Sequence, residues 1–119
     1  MKDFMFIFRG SMFDAKLGKP SPEQIQSQMS EWNTWMAGIA KEGKLISGQP
    51  LAMGGKHVNG PARKLTDGPF IEGKDIVGGY LLVKADHLDE AVEISKGCPI
   101  LKSEDGSVEV REILAVPII

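Results

Sequence analysis

Apolar and polar positions along this chain follow two periods in turn, and each change of period marks an element. Phe4 to Phe8 ("FMFIF") is short, aromatic-rich and apolar on both faces, which predicts a buried strand. A Gly/Pro/Lys-rich connection ends in "KPSPEQ". Here Ser21 is a good N-cap, Pro22 suits the first helical position, and Gln24 completes a capping box. Ile25, Met29, Trp32, Met36 and Ile39 then step by four and three, so they lie on one stripe of a helix that runs to about Glu42, with Trp35 flanking it. Gly43 stops that helix.

"KLISGQPL" predicts a shorter strand, limited by Pro50. Lys56 to Thr66 reads as a hairpin around Asn59-Gly60. "IVGGYLLV" (Ile76 to Val83) is the most strand-like run and is again apolar on both faces. Asp86 is placed to cap a second helix, with Asp89 in its first turn. Leu88, Ala91, Val92 and Ser95 share a face of that helix, and Gly97 and Pro99 end it. "SVEVREILAV" supplies the last strand, where Val108 and Val110 alternate with Glu109 and Arg111. The order predicts a ferredoxin-like βαββαβ sandwich of the α+β class with an inserted hairpin, in a single domain over residues 1–119.

That plan has a consequence for assembly. Two helices cover one face of a four-stranded sheet and leave the other bare. Met5 and Ile7 then lie opposite Phe4, Phe6 and Phe8, on a face that would meet water. A second copy, sheet facing sheet, is the economical cover.

Composition narrows the function classes. The 119 residues are 42% hydrophobic and 25% charged with a formal charge of −2, which is ordinary globular material. No basic stripe suggests nucleic acid as a direct partner. No run approaches the ~20 apolar residues that cross a bilayer. A lone cysteine, Cys98, cannot pair within the chain, and the apolar run at the N-terminus is too short for a signal-peptide core; both suit the cytoplasm.

The stretch "LTDGPFIEGKD" (Leu65 to Asp75) is the densest in chemistry. Asp67-Gly68-Pro69 can be a turn, with Asp bonding backbone amides and Gly allowing positive φ. The turn is the plainer reading; the other is a loop whose Asp67 and Phe70 meet a ligand. Glu72 and Lys74 read as a solvated ion pair. Trp32 offers either core packing or a flat pocket wall. Cys98 follows a helix C-terminus and has no activating partner, so it reads as inert. His57 and His87 have no metal-ligand spacing, and no metal is expected. Arg111, on the side away from the valines, is the best anion-binding candidate. "GGKHVNG" lacks the phosphate-cradling pattern, and the glycines of "VGGY" mark close backbone approach within a strand.

"TDGPFIEGKDIVGGYLLV", followed by "DHLDEAVEI", "GCP" and "GSVEVREI", resembles the DGPF branch of the YCII-related family over about residues 65 to 113. A weaker echo lies in "EGKLISGQPL" and the first strand. The resemblance implies a dimeric α+β barrel of ferredoxin-like protomers with a pocket near the sheet and the motif loop. The family has no settled biochemical activity; some relatives are fused to sigma-factor domains, which suggests a role alongside transcription initiation. The YCII branch carries a histidine on the first helix and an aspartate before a proline after the second. Here Trp32 and Cys98 stand at those positions, and neither can replace its counterpart in proton transfer.

Three readings follow. The first is a homodimeric small-molecule-binding or accessory protein, with a regulatory role included, whose pocket is lined by Trp32, Asp67, Phe70, Tyr80 and Arg111. The second is a small cofactor-free enzyme in which Asp67 shuttles a proton, helped by Tyr80 or His57. The third is a dimerisation module without a ligand. No cofactor is expected in any of them, and the missing His/Asp pair favours the first over the second.

Overall fold

The N-terminal signals of the first helix all operate. Ser21 accepts a hydrogen bond from the Gln24 amide, the Gln24 side chain accepts one from the Ser21 amide, and Pro22 opens α1 (Pro22–Lys41). Gly43 ends it with φ of +73°, a left-handed backbone that residues with a Cβ avoid. The computed structural model describes residues 1–10, 21–52, 54–68 and 75–116; of Asp67 and Gly68 only the backbone pairing is described. Within that range the elements are β1 (Lys2–Arg9), α1, β2 (Leu45–Pro50), β3 (Gly55–Asn59), β4 (Lys64–Gly68), β5 (Val77–Ala85), α2 (Leu88–Ser95), a 3-10 turn (Pro99–Lys102) and β6 (Ser107–Glu112).

The four-stranded sheet has the order β2-β5-β1-β6, and every neighbouring pair is antiparallel. With the β3–β4 hairpin set aside, this is the ferredoxin-like order of a βαββαβ unit. The protein is therefore of the α+β class. β1 and β5 lie at the centre because they are the two strands apolar on both faces.

Cross-strand register sorts the side chains. Phe4, Phe6 and Phe8 of β1 stand with Leu81 and Val83 of β5 on the face that both helices cover. Phe4, Phe6 and Val83 are fully buried there, with Ile39 of α1 and Ala91 of α2 above them. Burial of each such large side chain stabilises by roughly 1.5–3 kcal/mol. The two tryptophans add oriented ring contacts. Trp32 meets Phe8 edge-on at 5.0 Å, and Trp35 lies 6.1 Å from both Phe6 and Phe8.

Four local expectations need correction. The predicted stripe of α1 is only half used: Trp32, Met36 and Ile39 pack on the sheet, whereas Ile25 and Met29 are 39% and 54% exposed. Trp35 is central rather than flanking. It packs on the aromatic row, and its Nε1 donates to the carbonyl of Ile94, 3.1 Å away. The cap of α2 is His87, not Asp86: Nδ1 of His87 accepts from the Glu90 amide at 3.1 Å, as a neutral imidazole nitrogen can. Leu88 is half exposed, and the packed face of α2 is Ala91, Ile94 and Ser95.

The hairpin forms where Asn59-Gly60 predicts it, with Gly60 to Arg63 as its turn. Asp67 and Gly68 belong to its second strand, opposite Lys56 and Gly55, so the start of the motif is extended backbone rather than a turn. All of β3 is exposed, and the hairpin forms a two-stranded sheet of its own beside the four-stranded one.

Candidate functional site

Positions one residue along from the core rows define the other face of the sheet. Arg111, Met5, Leu82 and Ser47 form one row across β6, β1, β5 and β2; Glu109, Ile7, Tyr80 and Gln49 form the next. Met5, Ile7, Tyr80 and Leu82 are half-buried by their neighbours in the sheet. Both helices pack on the opposite face, and no described helix or strand lies over this one.

One flank of the face is ionic. Arg9 Nη1 donates to Glu109 Oε1 at 2.6 Å, and Arg111 Nη1 stands 3.7 Å from Glu109 Oε2. Glu109 therefore directs one oxygen to each guanidinium. The trio carries one net positive charge beside Ile7 and Met5, and the Arg111 side chain is 69% exposed. Sequence reasoning singled out Arg111 but not Arg9. The signal for Arg9 was its place in β1, two residues after Ile7 and hence on the same face.

Of the five residues proposed for a pocket, the described side chains of Trp32, Tyr80 and Arg111 do not come together. Tyr80 and Arg111 share the open face. Trp32 stands on the helix-covered face, edge-on to Phe8 and 5.9 Å from Trp35. The backbone of Asp67 lies in β4, one residue before its end. Phe70 lies outside the described residues, as do Glu72 and Lys74. A concave surface of about 730 Å³ does exist on α1, lined by Ile25, Gln26, Met29, Ser30 and Asn33 among others. Among the described residues its lining includes no acidic, basic or histidine side chain.

Cys98 is 3% exposed, and burial pushes its thiol up to about 12, against a smaller opposing effect of the Ile100 amide. A thiol so protonated is a poor nucleophile. Trp32 is thus packed against the aromatic row and Cys98 is a buried, protonated thiol. His87 uses Nδ1 as a helix cap. Among the described residues no three His, Cys, Asp or Glu side chains converge as metal ligands, and no helix is long and apolar enough to cross a membrane.

An antiparallel ferredoxin-like sheet with helices on one face and a mixed apolar and cationic surface on the other defines a small one-sided α+β protein. The chain belongs to the YCII-related domain family, whose model matches residues 12–117. No curated protein matches it. Among solved structures it is similar to 5-chloro-2-hydroxyhydroquinone dehydrochlorinase (TftG) from Burkholderia phenoliruptrix AC1100, in complex with 2,5-dihydroxybenzoquinone. That similarity has 15% identity and a TM-score of 0.48, covering 92% of this chain and 90% of the other.

Proposed function

We propose that this chain is a homodimeric small-molecule-binding protein of the DGPF branch, working as an accessory or regulatory component in the cytoplasm. The observation that carries the reading is the open sheet face. Met5, Ile7, Tyr80 and Leu82 form an apolar centre there, and Arg9, Glu109 and Arg111 form a charged flank. Apolar surface of this kind is covered in a stable assembly, and pairing two such faces encloses a space between sheets about 10 Å apart.

In this reading Tyr80 and Arg111 are the polar contacts of the enclosed ligand, the phenol as donor or acceptor and the guanidinium toward an anionic group. The ligand-contacting roles read from the sequence for Asp67 and Phe70 belong to the same proposal. Trp32 serves packing between α1 and β1 instead. The chain lacks the acid/base pair of the YCII branch, so binding rather than proton transfer is the function proposed.

Native mass spectrometry tests this directly. The expected result is an assembly of twice the 12.9 kDa chain with a co-purifying small molecule lost on denaturation. Ile7→Glu, which puts two like charges at the centre of the paired faces, is expected to give a folded monomer without the ligand. A wild-type protein that stays monomeric and folded at micromolar concentration overturns the reading.

A further inference from the structure

We infer that the β3–β4 hairpin is a clasp that closes over a second copy of this chain. The inference rests on the sheet-face pairing proposed above but starts from different residues. An isolated two-stranded hairpin is marginal in water. This one is nonetheless well specified: five cross-strand pairs run from Gly55↔Gly68 to Asn59↔Lys64. Asn59 Nδ2 donates to the Lys64 carbonyl and to Thr66 Oγ1, and Arg63 Nη1 donates to the Pro61 carbonyl. Arg63 also sits in the left-handed region with φ of 54°, a conformation disfavoured for a residue with a Cβ.

The hairpin also presents an apolar pair to solvent. Val58 and Leu65 are cross-strand partners, 66% and 62% exposed. On a soluble surface such a pair at the centre of a two-stranded arm is a contact in waiting.

Charge and reach select the occupant. Residues 55 to 68 include Lys56, Arg63 and Lys64 against the single acid Asp67, so the arm carries +2; against the chain total of −2, the rest carries −4. Two arms therefore repel each other, while the arm of one copy is attracted to the body of the other. Exposed acids such as Asp86, Asp89 and Glu104 supply the counter-charge. Five residues of strand extend about 17 Å, longer than the ~10 Å between stacked sheets. An arm of that length is long enough to cross the space between paired faces.

Sedimentation analysis of the dimer dissociation constant tests the clasp in three proteins: wild type, Val58→Asp/Leu65→Asp, and Arg63→Glu/Lys64→Glu. All four side chains are exposed, so the body should keep its far-UV circular dichroism. The apolar variant is expected to weaken the dimer at least tenfold at all salt concentrations. The charge variant is expected to weaken it at low salt, with the difference shrinking as salt rises. An unchanged constant in both variants overturns the clasp and leaves the sheet pairing standing. A wild-type monomer overturns the sheet pairing and the clasp with it. Salt-dependent binding of duplex DNA that needs Arg63 and Lys64, with an unchanged dimer constant, overturns the clasp in favour of a nucleic-acid contact.

Discussion

Trp35 and Ile94 tie the two helices together: the indole Nε1 of Trp35 in α1 donates to the carbonyl of Ile94 in α2 across 3.1 Å. The bond needs the indole edge close to the backbone just beyond α2. Gly97 permits this, since a Cβ at 97 would stand 3.0 Å from Trp35 Cδ1 and 3.1 Å from its Nε1.

Gly97→Ala is therefore expected to destabilise the protein by about 1–3 kcal/mol, the usual cost of forcing an extra carbon into a packed site. Trp35→Phe is expected to cost a similar amount through the lost bond and lost ring area. Urea denaturation measures both. Because the two residues touch, the double variant should be less destabilised than the sum of the singles.

Lys44, between α1 and β2, stands 3.0 Å from Glu90 Oε1 and 3.4 Å from Glu42. Glu90 Oε1 is closed to solvent and accepts no well-formed hydrogen bond, so the Lys44 ammonium is what compensates its charge. That ammonium holds the Glu90 carboxyl below its usual range against the opposing effect of burial, with help from the Asp86 amide. Glu90 in turn holds Lys44 above its usual value. A lowered carboxyl contributes stability above its unfolded pKa and loses it as pH falls through the folded value. A raised lysine contributes below its unfolded pKa and loses it as pH rises through the folded value. Thermal unfolding should thus show stability falling on the acid side below the ordinary glutamate range and on the alkaline side above the ordinary lysine range. Glu90→Gln should flatten the acid limb; an identical acid limb in that variant would show that the pair contributes nothing.

Cys98 should resist alkylation. With its thiol raised to about 12 by burial, iodoacetamide near neutral pH should modify it only after unfolding, as read by intact mass. Cys98→Ala should leave ligand retention unchanged. Stoichiometric labelling of the native protein within minutes would contradict this assignment.

His87→Ala removes the acceptor for the Glu90 amide and is expected to cost about 1 kcal/mol, as for other N-cap losses. His87→Asn restores an acceptor of suitable reach and should recover most of it. Equal stability of all three proteins would show that the cap carries no weight.

Asp67→Asn separates the roles of the motif. The backbone of Asp67 pairs with Lys56 near the end of β4, and Asn keeps a similar shape, so the stability change should stay within about 1 kcal/mol. Ligand retention in native mass spectrometry should nevertheless fall about tenfold, the scale of one lost charge-assisted bond. Unchanged stability and unchanged retention together would leave Asp67 as a strand residue alone.

Much of this fold is local and was legible without coordinates. The Ser21-Pro22-Gln24 cap depends on atoms within four residues of one another, and it forms as those residue types require. The alternation of Phe4, Phe6 and Phe8 with Met5 and Ile7 assigns each to a face, because strand geometry has a period of two. The bare sheet face follows from counting helices against strands. Tertiary structure alone decided the rest. Periodicity places Ile25 and Met29 on the stripe of Ile39, but only packing decides how far along α1 the sheet extends beneath it. Trp35 became central because the end of α2 offers the Ile94 carbonyl and leaves room at Gly97, two features 59 or more residues away in the chain. Trp32 and Arg111, both plausible pocket residues by type, lie on opposite faces because they occupy different layers. A side chain's chemistry is set by its own atoms, but its neighbours are set by contacts between distant segments, and those depend on the whole chain at once.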